Sequence, residues 1–98
     1  MRIVAIGSRV FTTSFQLGGV EGLKVDIPLE ALTEINKLIE KNDVGLILLS
    51  DDIAKDIQKK LIEIRAKTPI PLIFELPTPG SKKKKIDYRA LFNQSLGV

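Results

Sequence analysis

The sequence predicts an α/β fold: a small four-stranded parallel sheet with helices on both faces, followed by an amphipathic helix on a flexible linker. Two observations carry the sheet and its helices. The apolar runs Ile3-Val4-Ala5-Ile6, Val44-Gly45-Leu46-Ile47-Leu48-Leu49 and Ile70-Pro71-Leu72-Ile73-Phe74 are continuous rather than alternating, which is the pattern of strands covered on both faces. The segments between them place apolar residues at helical spacing. A third observation carries the tail: Gly80-Ser81 and four consecutive lysines, Lys82 to Lys85, precede a short segment that is apolar on one side.

Taken in order, the first strand ends at Gly7, read as a turn glycine. A short helix is expected over 10–17, with Phe15 and Leu17 directed to the core and Gly18-Gly19 able to supply a left-handed terminus. Leu23-Lys24-Val25 is short and polar enough for an edge strand. The helix Pro28–Lys41 opens with proline in its first turn, where the missing N–H costs nothing, and carries Leu32, Ile35, Leu38 and Ile39 on one face. A single helix over 51–67 carries Ile53, Ile57, Leu61 and Ile64 at steps of three and four, with Lys55, Lys59 and Lys60 pointing away. Pro69, Pro71, Pro77 and Pro79 bracket the last strand, as suits a strand at a sheet edge. Strand and helix alternate throughout, so right-handed crossovers and a flavodoxin- or Rossmann-like strand order 2-1-3-4 follow. The domain boundaries are a globular unit over 1–79, a linker over 80–85 and a terminal helix over 86–98.

In that last segment Tyr88, Leu91, Phe92 and either Ser95 or Leu96 recur at helical spacing, while Asp87, Arg89, Asn93 and Gln94 face elsewhere. A helix of about a dozen residues is marginal alone in water. It folds back on its own core or is completed by a partner. Gly80 and Ser81 give free backbone torsion, and the adjoining lysines repel one another, so the linker is a hinge with reach.

Composition narrows the function. The 98 residues are 44% hydrophobic and 28% charged, enough for one core and ordinary for a globular domain. Histidine and cysteine are both absent, which removes disulfides, thiolate or imidazole zinc sites, histidine acid/base chemistry and thiol nucleophiles. No cofactor or metal is expected. The N-terminal apolar run is too short for a signal peptide or a spanning helix, so a soluble, cytoplasmic chain is expected, with no membrane insertion of its own. The net charge of +3 resides in the linker, since without its four lysines eleven basic residues face twelve acidic ones. A nucleic-acid surface spreads its cations over a face and interleaves aromatics, so nucleic acid is not expected as a partner.

Ligands of open parallel sheets sit beyond the carboxyl ends of the strands, here Gly7-Ser8-Arg9, Ser50-Asp51-Asp52 and Glu75-Leu76-Pro77. The first of these lacks both phosphate-loop spacings, although Arg9 could hold an anion. Asp51 stands where a phospho-accepting receiver domain has its aspartate. A receiver also needs an acidic pair after the first strand for Mg²⁺, and that place is taken by Gly7-Ser8-Arg9. Ser50 or Asp51 is therefore expected to cap the following helix. No serine has a histidine to activate it, and no catalytic residue is assigned.

With these residues in view, the chain resembles the F subunit of the A-type and V-type rotary ATPases and ATP synthases. The shared features are a first strand ending in glycine, the F-x-L-[AG]-G-V stretch Phe15-Gln16-Leu17-Gly18-Gly19-Val20, and the strand-to-helix passage Ile47-Leu48-Leu49-Ser50-Asp51-Asp52-Ile53-Ala54. The strand Pro71-Leu72-Ile73-Phe74-Glu75-Leu76-Pro77, then a linker and a terminal helix ending in Gly97-Val98, complete the set. The chain departs from the family pattern at Ser8, Ser14, Phe92 and Gln94 and in its lysine-rich linker. The resemblance implies a non-catalytic rotor component of the central stalk, bound to the coiled coil of the D subunit and through it to the catalytic A/B head and the membrane rotor. ATP hydrolysis or synthesis would thereby be coupled to H⁺ or Na⁺ transport. The same resemblance implies that Tyr88, Leu91, Phe92, Ser95 and Leu96 contact the D subunit, with Gly80 and Ser81 as the hinge. Two other readings of the fold stay open at this point: a receiver-like adaptor that binds a protein without being phosphorylated, and a flavodoxin-type small-molecule domain.

Overall fold

A computed structural model describes residues 1–78. The elements alternate as the sequence predicts: β1 (Arg2–Gly7), α1 (Arg9–Gln16), β2 (Glu21–Lys24), α2 (Pro28–Lys41), β3 (Val44–Ser50), α3 (Asp51–Ala54), α4 (Gln58–Lys67) and β4 (Leu72–Leu76). These strands all pair in parallel, in the order β2-β1-β3-β4. The linker and terminal segment, with Gly80, Ser81, Tyr88, Leu91, Phe92, Ser95 and Leu96, lie outside the described residues.

Helix ends are set by local chemistry. Ser8 is the N-cap of α1, and its hydroxyl accepts from the Phe11 N–H at 3.4 Å. The helix closes as the glycine pair predicts. Gly19 has φ +90°, its N–H donates to the Gln16 carbonyl, and the Val20 N–H donates to the Phe15 carbonyl, the paired bonds of a Schellman terminus. Phe15 and Val20 then pack in one cluster. Leu17 does not join them. It is exposed at the tip of the turn, contrary to the core role expected for it. In α2, Pro28 sits at the first position and Glu30 accepts from the N–H groups of Asp26 and Ile27. Asn42 ends that helix in the left-handed conformation.

The single helix expected over 51–67 is interrupted. After α3 comes a 3₁₀ turn (Lys55–Ile57), and Ile57 leaves helical geometry at φ −127°, ψ 25° before α4 begins. Across the break Ile53, Ala54, Ile57 and Leu61 all stay buried, and the Gln58 side-chain amide donates to the Ala54 carbonyl. No glycine or proline marks the place.

The main core lies between the sheet and α2, α3 and α4, with Val4, Ile6, Ile47, Leu49 and Ile73 supplied by the strands. Gly45 is what brings Val44 into it. Arg2 pairs with Val44 and Ile3 pairs with Leu46, so Gly45 is the extra residue of a bulge. Strand side chains alternate faces, and the bulge restores Val44 to the side of Ile47 and Leu49.

On the opposite side a smaller cluster joins Ala5, Phe11 and Leu48. Phe11 and Phe15 are tilted against one another with ring centroids 5.0 Å apart. Gly7 is required here by contact, because a Cβ would meet Phe11 Cδ2 at 2.7 Å and Ser50 Cβ at 3.0 Å. Gly7→Ala is expected to cost about 1–3 kcal/mol by overpacking, measured as a fall in the urea midpoint at unchanged slope.

Across the amino ends of the strands, Arg2 ties three segments together. Its Nε and Nη2 each donate to Glu21 at 2.8 Å and its Nη1 donates to Asp43 at 2.9 Å, linking β1 to β2 and to the turn before β3. Hydrogen bonding to Arg2 holds the Glu21 and Asp43 carboxyls below their ordinary range and holds the guanidinium above its own. Lowered folded pKa values mean stabilisation that is fully present above the unfolded values and is lost as the pH falls through the folded ones. Arg2→Met should therefore lower Tm at neutral pH, and the gap from the parent should close in acid once both carboxyls are protonated; thermal unfolding across a pH series checks this.

Candidate functional site

Three rows of side chains cross the α1 side of the sheet in register: Ile3-Leu46-Leu72, Ala5-Leu48-Phe74 and, nearest the carboxyl ends, Gly7, Ser50 and Leu76. The helix α1 packs over β1 and β2. Cover is therefore uneven from row to row. In the middle row Ala5 and Leu48 are buried under Phe11, while Phe74 is 53% exposed. In the first row Ile3 is 44% and Leu72 56% exposed, with Leu46 half-buried between them. The expectation that the last strand is covered on both faces is corrected here: β4 buries Ile73 and presents Leu72 and Phe74 to solvent. The reason is topological, since α2, α3 and α4 all lie on the other face and α1 reaches only the far side of the sheet. Contiguous exposed apolar side chains on a small domain mark an interaction surface.

The carboxyl ends of the strands hold no comparable arrangement among the described residues. Ser50 occupies the N-cap position of α3, but its side chain makes no capping bond, so the expected cap is only positional. Asp51 and Asp52 lie in that first turn, where their charge suits the positive end of the helix. Asp52 also accepts from the Thr78 hydroxyl at 3.3 Å, which fastens the chain leaving β4 over the end of β3. Arg9 is an exposed first residue of α1. Among the described residues no group of three or more acidic side chains could hold a metal ion, and none of their helices is long and apolar enough to cross a membrane.

The outer side of the sheet edge is furnished from α4. Arg65 Nη2 donates to the Ile73 carbonyl at 2.9 Å and to Glu75 Oε2 at 3.1 Å, and Gln58 Nε2 donates to Glu75 Oε1 at 2.8 Å. Glu75 is thus gripped by two side chains of one helix. In the sequence Glu75 stands out only as part of a strand motif, because its partners are ten and seventeen residues away.

A small parallel sheet with helices on both faces and an exposed apolar flank defines the class of fold: an α/β domain of doubly wound type. The sequence profile of the family described as ATP synthase (F/14-kDa) subunit matches residues 3–91, and the chain belongs to that family. It is 32% identical to the F subunit of the A-type ATP synthase of Pyrococcus furiosus and 28% identical to that of Methanocaldococcus jannaschii. The corresponding protein of Thermococcus kodakarensis is 27% identical. In each case all of this chain aligns, with 96% or 97% of the relative.

The two faces of β4 make a direct test of the surface. Leu72→Gln and Phe74→Gln should each leave the unfolding free energy within about 1 kcal/mol of the parent, whereas Ile73→Ala should cost about 2–5 kcal/mol. Urea denaturation of the three variants reads the difference.

Proposed function

We propose that this chain is the non-catalytic, central-stalk F subunit of an A-type or V-type rotary ATPase or ATP synthase. It binds the coiled coil of the D subunit and turns with it, as part of a complex whose other components bind nucleotide and move H⁺ or Na⁺. The observation that carries the reading is the family match from residue 3 to residue 91, which takes in the α/β unit and part of the terminal segment. In this reading the protein is cytoplasmic and peripheral to the membrane.

Two features support a coupling role. A torque-bearing component must resist deformation, and a parallel sheet whose central strands are buried against three helices is stiff. It must also grip its partner, and grip comes from desolvated apolar anchors rather than from scattered charges. Tyr88, Leu91, Phe92 and Leu96 would supply those anchors from the tail, with Ser95 as a small neighbour in the same contact, and Leu72 and Phe74 would extend them onto the sheet. Gly80 and Ser81 would let the two contacts be set independently. The match along the whole chain favours this over a receiver-like adaptor.

Co-expression with a D-subunit partner tests the reading. The full chain should co-purify with that partner. Truncation after Thr78 should weaken the complex at least about tenfold, and Phe74→Glu should weaken it less. A truncated chain that held the partner as tightly as the parent, with ATPase stimulation by the pair unchanged, would remove the tail from the interface. Failure of the full chain to bind would overturn the assignment.

A further inference from the structure

On the outer edge of β4 one side chain lies across the backbone, where Arg65 donates to the Ile73 carbonyl. The ladder's parity follows from two bonds: the Val25 N–H donates to the Gly7 carbonyl, and the Arg2 N–H donates to the Asp43 carbonyl. Successive residues of a strand direct their backbone groups to alternate sides. Gly7 therefore bonds toward β2 and Arg2 toward β3, and carrying the register across the sheet leaves Leu72, Phe74 and Leu76 bonding to β3. The backbone groups of Ile73 and Glu75 point outward, to the side where no strand of the described residues follows.

Prolines bound this outward edge. Pro71 and Pro77 fall at the same parity as Ile73 and Glu75, so neither position offers an N–H. What remains is a window of two outward residues. Two copies of β4 set antiparallel about a two-fold axis through Phe74 would place Ile73 opposite Glu75 of the other copy, each pair exchanging both of its backbone bonds. The exposed Phe74 rings would then be direct cross-strand neighbours and Leu72 would face Leu76, all on the uncovered side of the sheet. Such pairing needs the Ile73 carbonyl as an acceptor. That carbonyl is taken by Arg65, which Glu75 holds in position, while Gln58 holds Glu75.

We infer that Arg65 closes the edge of β4 against strand addition by a second copy of this chain, with Glu75 and Gln58 as its latch. Exposed strand edges invite association, and a charged side chain laid across one is a means of preventing it. The inference goes beyond the stalk reading and stands independently of it.

The test uses the full chain. Arg65→Met keeps most of the aliphatic stem and removes the donor; Glu75→Gln keeps the side-chain volume and loosens the hold on Arg65. Sedimentation velocity over a range of concentrations should show Arg65→Met self-associating at least about tenfold more tightly than the parent, with Glu75→Gln intermediate. Amide exchange on the associated variant should show new protection at Ile73 and Glu75, with Leu72, Phe74 and Leu76 unchanged. Adding Glu75→Pro to Arg65→Met removes one of the two outward donors and leaves Leu72 and Phe74 exposed, so it should return the chain to the parent's behaviour. Equal association of the parent and both single variants would overturn the inference. So would association that survives Glu75→Pro, which would run through the apolar face, or protection of Ile73 and Glu75 at monomer mass, which would assign the edge to the chain's own tail.

Discussion

Right-handed crossovers between the parallel strands dictate where every helix of this fold can lie. Each β-α-β passage returns the chain on one side of the sheet only, because a right-twisted strand feeding a right-handed helix packs back in that way. With the order β2-β1-β3-β4, the step from β1 to β2 runs opposite to the two steps that follow. The helix α1 therefore takes one face, and α2, α3 and α4 take the other. A four-stranded sheet wound like this has a complete core on one side and a partial one on the other. The partial side is where β3 and β4 show Leu46, Leu72 and Phe74.

Local features then serve this division. Gly7 admits the Phe11 ring against the sheet, and Gly45 gives β3 the extra residue that keeps Val44 in the main core. The Schellman turn at Gly19 returns the chain to β2 with Val20 packed beside Phe15. Arg2 fastens the amino ends of the sheet, while Thr78 and Asp52 fasten the carboxyl end of the last strand. None of these is chemistry in the catalytic sense. They define a body with fixed ends and one sticky flank, consistent with a family whose relatives are parts of an ATP synthase.

The edge of β4 illustrates how a small protein keeps such a flank from becoming a liability. Apolar Leu72 and Phe74 on an edge strand would ordinarily favour association. Prolines remove donors at both ends of the window, Glu75 directs a charge toward the helix side, and Arg65 lies across the outward carbonyl between them. An apolar surface can thus stay exposed while the backbone beside it stays closed to another strand.

Much of this was legible in the residues alone. Continuous apolar runs gave the strands, steps of three and four gave α2, the glycine pair gave the end of α1, and the prolines gave the edge, because each of these signals is a local consequence of backbone geometry. The break between α3 and α4 was not legible, because Ile53, Ile57, Leu61 and Ile64 keep a helical period and no glycine or proline stands at the turn. Nor could the sequence tell Ile73 from Leu72 or Phe74, since three adjacent apolar residues read alike until a helix covers one face and not the other. The roles of Arg65 and Gln58 were equally hidden, because their partner lies on another element. The identity and order of the elements follow from residue chemistry along the chain, because helix and strand periods are local. Which faces those elements leave open, and which side chains guard them, emerges with the assembled fold, because exposure and edge pairing belong to the arrangement of elements in space.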